Sequence, residues 1–230
     1  MKEKFYFVAA LLIFSYSSYS QLYGGIEIGS KGVKMTVLEV ENLKKNNYDV
    51  KEFWTENVGI ATGISIDGTL FKEDIERAVA VVLLNYNKML TEYKIEDKNI
   101  FLVASSGVGL ATNTAELTDK IKAVTKKNVE VISSSLEAKL LLKGCIPPKN
   151  YLSSVIVDIG GGNTKGGYAK EINSSGVFFP ISADIGTVTL TELINKKCKQ
   201  KTVYEFNEEM FNYLPTLRET FTKMYTNRPE

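Results

Sequence analysis

The chain has 230 residues, and its 28 Lys and Arg against 27 Asp and Glu leave a formal net charge of +1. That balance gives no global reason to bind nucleic acid, and the length suits one large or two small domains. The sequence has no histidine and only two cysteines, which excludes Ser-His and Cys-His nucleophilic schemes and the zinc sites usually built on histidine. Acid–base work falls to carboxylates, lysines or tyrosines.

Lys2 and Lys4 precede an almost wholly apolar run from Phe5 to Phe14, and Ser15 to Ser20 is small and polar with Tyr interspersed. This is a secretory signal pattern, too short to span a bilayer comfortably. Ser18-Tyr19-Ser20 puts small residues at the two positions a signal peptidase reads. Residues 1–20 are therefore expected to be a signal peptide, and the protein to be exported, periplasmic or secreted, with no membrane span after cleavage. A retained anchor is the other reading. No cysteine follows the apolar run, which argues against a lipoprotein. In an oxidising compartment Cys145 and Cys198 are free to pair, but their positions in sequence do not fix their separation.

The first predicted hairpin follows. Gly25-Ile26-Glu27-Ile28-Gly29-Ser30-Lys31-Gly32 leads into the apolar run Val33 to Val40: a strand ending in an acid, a tight turn and a return strand. Tyr48 to Glu56 reads as a strand, and Gly59 to Gly63 with Asp67-Gly68 as a loop. Phe71 to Tyr93 is an amphipathic helix, since Ile75, Ala78, Val82 and Leu83 recur at helical spacing and Glu73 and Asp74 lie in its first turn. Asn99 to Ala104 is a short buried strand ending in Ser105-Ser106-Gly107. Thr114 to Lys126 is a helix, Val129 to Ile132 a strand, and Ser135 to Lys143 a helix ended by Gly144 before Pro147-Pro148.

Pro147-Pro148-Lys149-Asn150 reads as a hinge. Beyond it the first pattern returns as Val155-Ile156-Val157-Asp158-Ile159-Gly160-Gly161-Gly162-Asn163-Thr164-Lys165. A strand at Val177 to Ile181 and helices at Thr187 to Lys199 and Asn207 to Tyr225 complete the chain. Lys196-Lys197-Cys198-Lys199-Gln200-Lys201 is expected to close a helix, where cations suit the dipole; a polyanion contact is the other reading. Strands and helices alternate, so the fold class is α/β, in two lobes at 21–148 and 149–230, the second cut short.

Glycines in such turns let backbone N–H groups approach an anion, and Ser30, Asn163 and Thr164 add side-chain donors. A carboxylate beside each cradle suits Mg²⁺ or an oriented water. Each hairpin taken alone also reads as an ordinary turn. The triple glycine between an acid and Asn-Thr is the more specific, because it weakens a strand without a packing reason.

These residues resemble the exopolyphosphatase/guanosine pentaphosphate phosphatase (Ppx/GppA) family of the actin-like ATPase superfamily. Glu27 to Gly32 is similar to its Asp-Ile-Gly-Ser-Asn-Ser motif, and Asp158 to Lys165 to its Asp-Ile-Gly-Gly-Gly-Ser-Thr-Glu motif. Ile132 to Lys139 resembles Ile-Ser-Gly-x-Glu-Glu-Ala-Arg, and Gly186 to Glu192 resembles Gly-Ala-Val-Arg-Leu-Thr-Glu. The similarity runs from about Gly25 to Glu192.

The resemblance implies two ribonuclease-H-like lobes with the site in the cleft. It makes Glu137 the base that activates water, Glu27 and Asp158 the Mg²⁺ residues, and Gly29, Ser30, Lys31, Gly160, Gly161, Gly162, Asn163 and Thr164 the phosphate cradle. The implied activity is Mg²⁺-assisted cleavage of a terminal phosphoanhydride of polyphosphate or a nucleoside polyphosphate. The expected partners are that substrate and at most a second copy of the chain as a homodimer, with no nucleic acid. Four positions depart from the family: Glu27 replaces an aspartate, Lys165 a glutamate, Lys139 an arginine, and Gly109 stands where an arginine is usual. A degenerate phosphate-binding or partner-binding relative is therefore the alternative. An apyrase-like hydrolase follows, though apyrases space the two motifs further apart. A sugar or acid kinase of the superfamily is weakened because no late adenosine motif is visible.

Overall fold

The structure is a computed structural model and describes residues 20–42, 47–173 and 175–226; the expected signal segment, apart from Ser20, lies outside them. The first hairpin forms as β1 (Gln21–Ile28) and β2 (Gly32–Asn42), and β3 (Asn47–Asn57) adds to β2. Alternation sends Ile26 and Ile28 of β1, and Val33, Met35 and Val37 of β2, into the core. A short helix α1 (Ile64–Asp67) precedes α2 (Lys72–Thr91). That helix buries Ile75, Ala78, Val79, Val82, Tyr86 and Met89 as one face and carries the chain to β4 (Ile100–Ala104), parallel to β1. Helix α3 (Thr114–Thr125) leads to β5 (Val129–Val131), parallel to β4. The sheet order β3-β2-β1-β4-β5 gives the first lobe, ribonuclease-H-like as expected.

The second lobe holds β6 (Val155–Ile159), β7 (Thr164–Ile172) and β8 (Ser175–Ala183) in an antiparallel sheet of that order. Helix α4 (Ser134–Cys145) precedes it; α5 (Thr187–Asn195) and α6 (Val203–Tyr225) follow. Helix α4 packs on β7 and β8, burying Ala138 and Leu142. This helix therefore packs with the second sheet although it precedes the Pro147-Pro148 segment.

Three element ends differ from expectation. Helix α4 runs through Gly144, where a side chain would meet open space, and stops because Ile146, ahead of Pro147, is held extended. Helix α5 stops at Asn195, before the lysine cluster. Lys196 crosses to the first lobe instead, where its ammonium donates to the Ser65 and Ile66 carbonyls of α1. Helix α6 starts at Val203 because Thr202 caps the Glu205 amide, while the Glu205 carboxylate accepts from the amides of Lys199, Gln200 and Lys201. Cys145 and Cys198 are unpaired.

Candidate active site

The two acid-and-glycine hairpins have the same construction. Gly29 N–H donates to Gly32 O at 2.8 Å, and Gly160 N–H to Asn163 O at 2.9 Å. Each pair encloses two residues, Ser30-Lys31 in one turn and Gly161-Gly162 in the other. In the first turn the carbonyls are tied outward: Ser30 O accepts from Ala61 N–H, and Lys31 O from Val58 and Gly59. In the second, the N-terminal amides of α5 donate to Gly160 O and Gly161 O. Among the described residues no protein acceptor takes the amides of Ser30, Lys31, Gly161 or Gly162. With the carbonyls held away and the amides unclaimed, the turns are suited to an anion.

The turns touch. A Cβ on Gly161 would lie 2.9 Å from Ser30 Cβ, and one on Gly162 would lie 2.7 Å from Ser30 Oγ. Gly161 does not lie at positive φ, so its glycine is required by this close approach rather than by backbone conformation. Between the turns is a cavity of about 260 Å³, lined in part by Glu27, Gly29, Ser30, Lys31, Gly160, Gly161, Asn163 and Asp158.

Glu137 reaches this cavity from the first turn of α4, where an acid suits the helix dipole. Its Oε2 accepts from Ser106 N–H at 3.0 Å and Ser106 Oγ–H at 2.6 Å. Its Oε1 lies 3.0 Å from Lys165 Nζ, which is also 2.9 Å from Asp158 Oδ2. Asn163 Nδ2 donates to Ser106 Oγ at 2.9 Å and closes the network. Burial pulls the Lys165 ammonium down, but its bonds to Asp158 and Glu137 outweigh this and hold it above the ordinary lysine range. Its stabilising contribution is therefore complete below the ordinary lysine pKa and is lost only as pH rises through the raised folded value.

Glu27 and Asp158, expected to hold Mg²⁺, each face a lysine across their own hairpin. Glu27 pairs with Lys34 at 2.8 Å, as Asp158 does with Lys165. Both hairpins place them opposite by register, Glu27 with Lys34 and Asp158 with Lys165. A resident divalent ion would sit among ammonium groups, and among the described residues no three carboxylate or thiol side chains gather around one point. With each acid paired to a lysine, these side chains do not by themselves form a cage for a resident Mg²⁺.

Thr164 and Gly162 are absent from the cavity wall. The Thr164 hydroxyl donates to Ile185 O at 2.6 Å, and Gly162 packs against Gly107 and Ser30. Asn163 lines the cavity, but its amide is committed to Ser106. Sequence reasoning missed Ser106 and Lys34. Lys34 was readable from the hairpin register; Ser106 carried only the Ser-Ser-Gly that ends β4.

The sequence profile of the Ppx/GppA phosphatase family matches residues 49–226. This chain belongs to the Ppx/GppA phosphatase family. Of its relatives, a bifunctional 3-dehydroquinate synthase/phosphatase of Fusobacterium nucleatum is 31% identical over 195 residues, covering 82% of this chain and 28% of that protein. A guanosine-5'-triphosphate,3'-diphosphate pyrophosphatase of Pseudoalteromonas translucida is 30% identical over 143 residues, covering 62% and 28%. The chain thus spans little more than a quarter of these relatives. An exopolyphosphatase crystal structure from Cytophaga hutchinsonii superposes with a TM-score of 0.68 at 21% identity, covering 91% of this chain and 64% of that one. The fold is accordingly that of Ppx/GppA proteins, with a smaller second lobe.

Proposed function

We propose that this Ppx/GppA member is an exported phosphohydrolase that cleaves a terminal phosphoanhydride of polyphosphate or a nucleoside polyphosphate. The observation that carries the reading is Glu137, fixed by Ser106 in the cavity between two amide-lined turns. The amides of Ser30, Lys31 and Gly161, with the Lys31 ammonium, neutralise phosphoryl oxygens. A water between Glu137 and the terminal phosphorus attacks in line. Its proton passes to the Glu137 carboxylate as the new O–P bond forms, and the bridging oxygen leaves with the electron pair of the broken bond. The names of the Pseudoalteromonas and Cytophaga relatives support this substrate class. The Mg²⁺ implied by the resemblance has no step in this scheme; as a bound ion it would have to displace Lys34 or Lys165.

Release of inorganic phosphate from polyphosphate, ATP and guanosine pentaphosphate by the purified chain tests the proposal. Turnover of at least one is expected; no release from any of them overturns it. The second reading, a binding relative without turnover, is favoured by the Lys165 ammonium on the candidate base. It predicts tight binding with no release.

Export rests on the sequence pattern of residues 1–20. No helix among the described residues is long and apolar enough to cross a membrane. Intact-mass analysis of exported material is expected to give a chain beginning near Gln21. Full-length protein recovered from the cytosol would refute this.

A further inference from the structure

Resting on the reading that the cavity takes a phosphate chain, we propose that Lys165 is a tethered cation occupying the place of a divalent ion, so that this site binds its ligand free of metal. Three observations converge on it. The Lys165 side chain is only 4% exposed, yet it belongs to the cavity wall. Its Nζ bridges Asp158 and Glu137 at 2.9 and 3.0 Å, with both carboxylates on one ammonium. That nitrogen also lies beside the second glycine turn, 3.4 Å from where a Cβ of Gly160 would stand.

An ammonium has three donors, and among the described residues Asp158 and Glu137 are its protein partners. The third N–H is left for a phosphoryl oxygen. The charges on the wall are balanced: Glu27, Glu137 and Asp158 against Lys31, Lys34 and Lys165. A glutamate at position 165, which the family motif carries, would leave four acids facing two lysines. Such a wall repels a phosphate chain unless divalent ions enter with it. With lysine the neutralising charge is part of the protein, and no ion has to be recruited or desolvated.

The test is calorimetric titration of the purified chain with inorganic tripolyphosphate, in EDTA and in Mg²⁺. The native chain is expected to bind in EDTA, with affinity in Mg²⁺ within a few fold. Lys165→Glu is expected to lose at least about 100-fold of the EDTA affinity, because like charges are brought against the ligand, and to recover binding when Mg²⁺ is added. Lys165→Met, which removes the charge without reversing it, should weaken binding in EDTA with less rescue. Binding by the native chain only in Mg²⁺ overturns the proposal, as does a Lys165→Glu variant that is folded by circular dichroism and binds unchanged in EDTA. If neither variant folds, the native comparison still decides. Tripolyphosphate bound in EDTA, with no phosphate released from polyphosphate, ATP or guanosine pentaphosphate, refutes the hydrolase reading alone; release with binding confined to Mg²⁺ refutes this proposal alone.

Discussion

Glu137→Gln is expected to lower phosphate release by roughly 10²- to 10⁴-fold, the usual effect of removing a general base. The network explains why the amide fails even though it matches the carboxylate in shape. Oε2 faces two donors from Ser106, and Oε1 faces the Lys165 ammonium. A glutamine offers one acceptor and one donor. If its carbonyl turns to Lys165, the NH₂ meets the Ser106 amide; if it turns to Ser106, the NH₂ meets the ammonium. Either way a partly buried donor goes unsatisfied, at a cost of about 1–3 kcal/mol. Loss of turnover should therefore come with a lower Tm but retained tripolyphosphate binding, since the turn amides are untouched. Phosphate-release kinetics, a thermal melt and a titration on one sample separate these effects. Turnover at the native rate would remove Glu137 from the chemistry.

The second large effect is at Gly161. Valine there brings a Cβ to within 2.9 Å of Ser30 Cβ and 3.3 Å of Lys31 Cγ, and two further methyl groups have to fit around it. Ser30 cannot retreat easily, because its carbonyl is held by Ala61 and its chain continues into β2. Overpacking of this kind costs about 1–3 kcal/mol, so the variant is expected to fold with reduced stability. The turns are pushed apart, and their amides no longer converge. Tripolyphosphate affinity should fall at least about tenfold for each 1.4 kcal/mol of lost contact. A folded Gly161→Val chain with native affinity would show that the turns do not form the ligand site.

The hairpins were legible because their information is local. An alternating apolar strand, an acid and a glycine turn fix the register, and the register sets Glu27 against Lys34 and Asp158 against Lys165. The face of α2 was legible for the same reason. What stayed hidden depends on contacts between distant segments. Ala138 and Leu142 mark a buried face on α4 but not which sheet it covers. The Thr164 hydroxyl donates to Ile185 O, a contact between segments that no local pattern announces. Ser106 matters only because the loop after β4 meets α4 across the cleft. At Gly161 the glycine was legible from the turn, but its cause, proximity to Ser30 rather than a positive φ, is not visible in a single turn.

Strand β6 lies at the edge of its sheet, whereas its counterpart β1 is flanked on both sides by β2 and β4. Val155, Val157 and Ile159 along it are 39%, 52% and 61% exposed. An edge with alternate aliphatic side chains is a template for another strand, and no lysine or proline within β6 blunts it. The consequence is colloidal: the apparent molar mass from light scattering should rise with protein concentration, and a charged replacement at Val157 should suppress that rise.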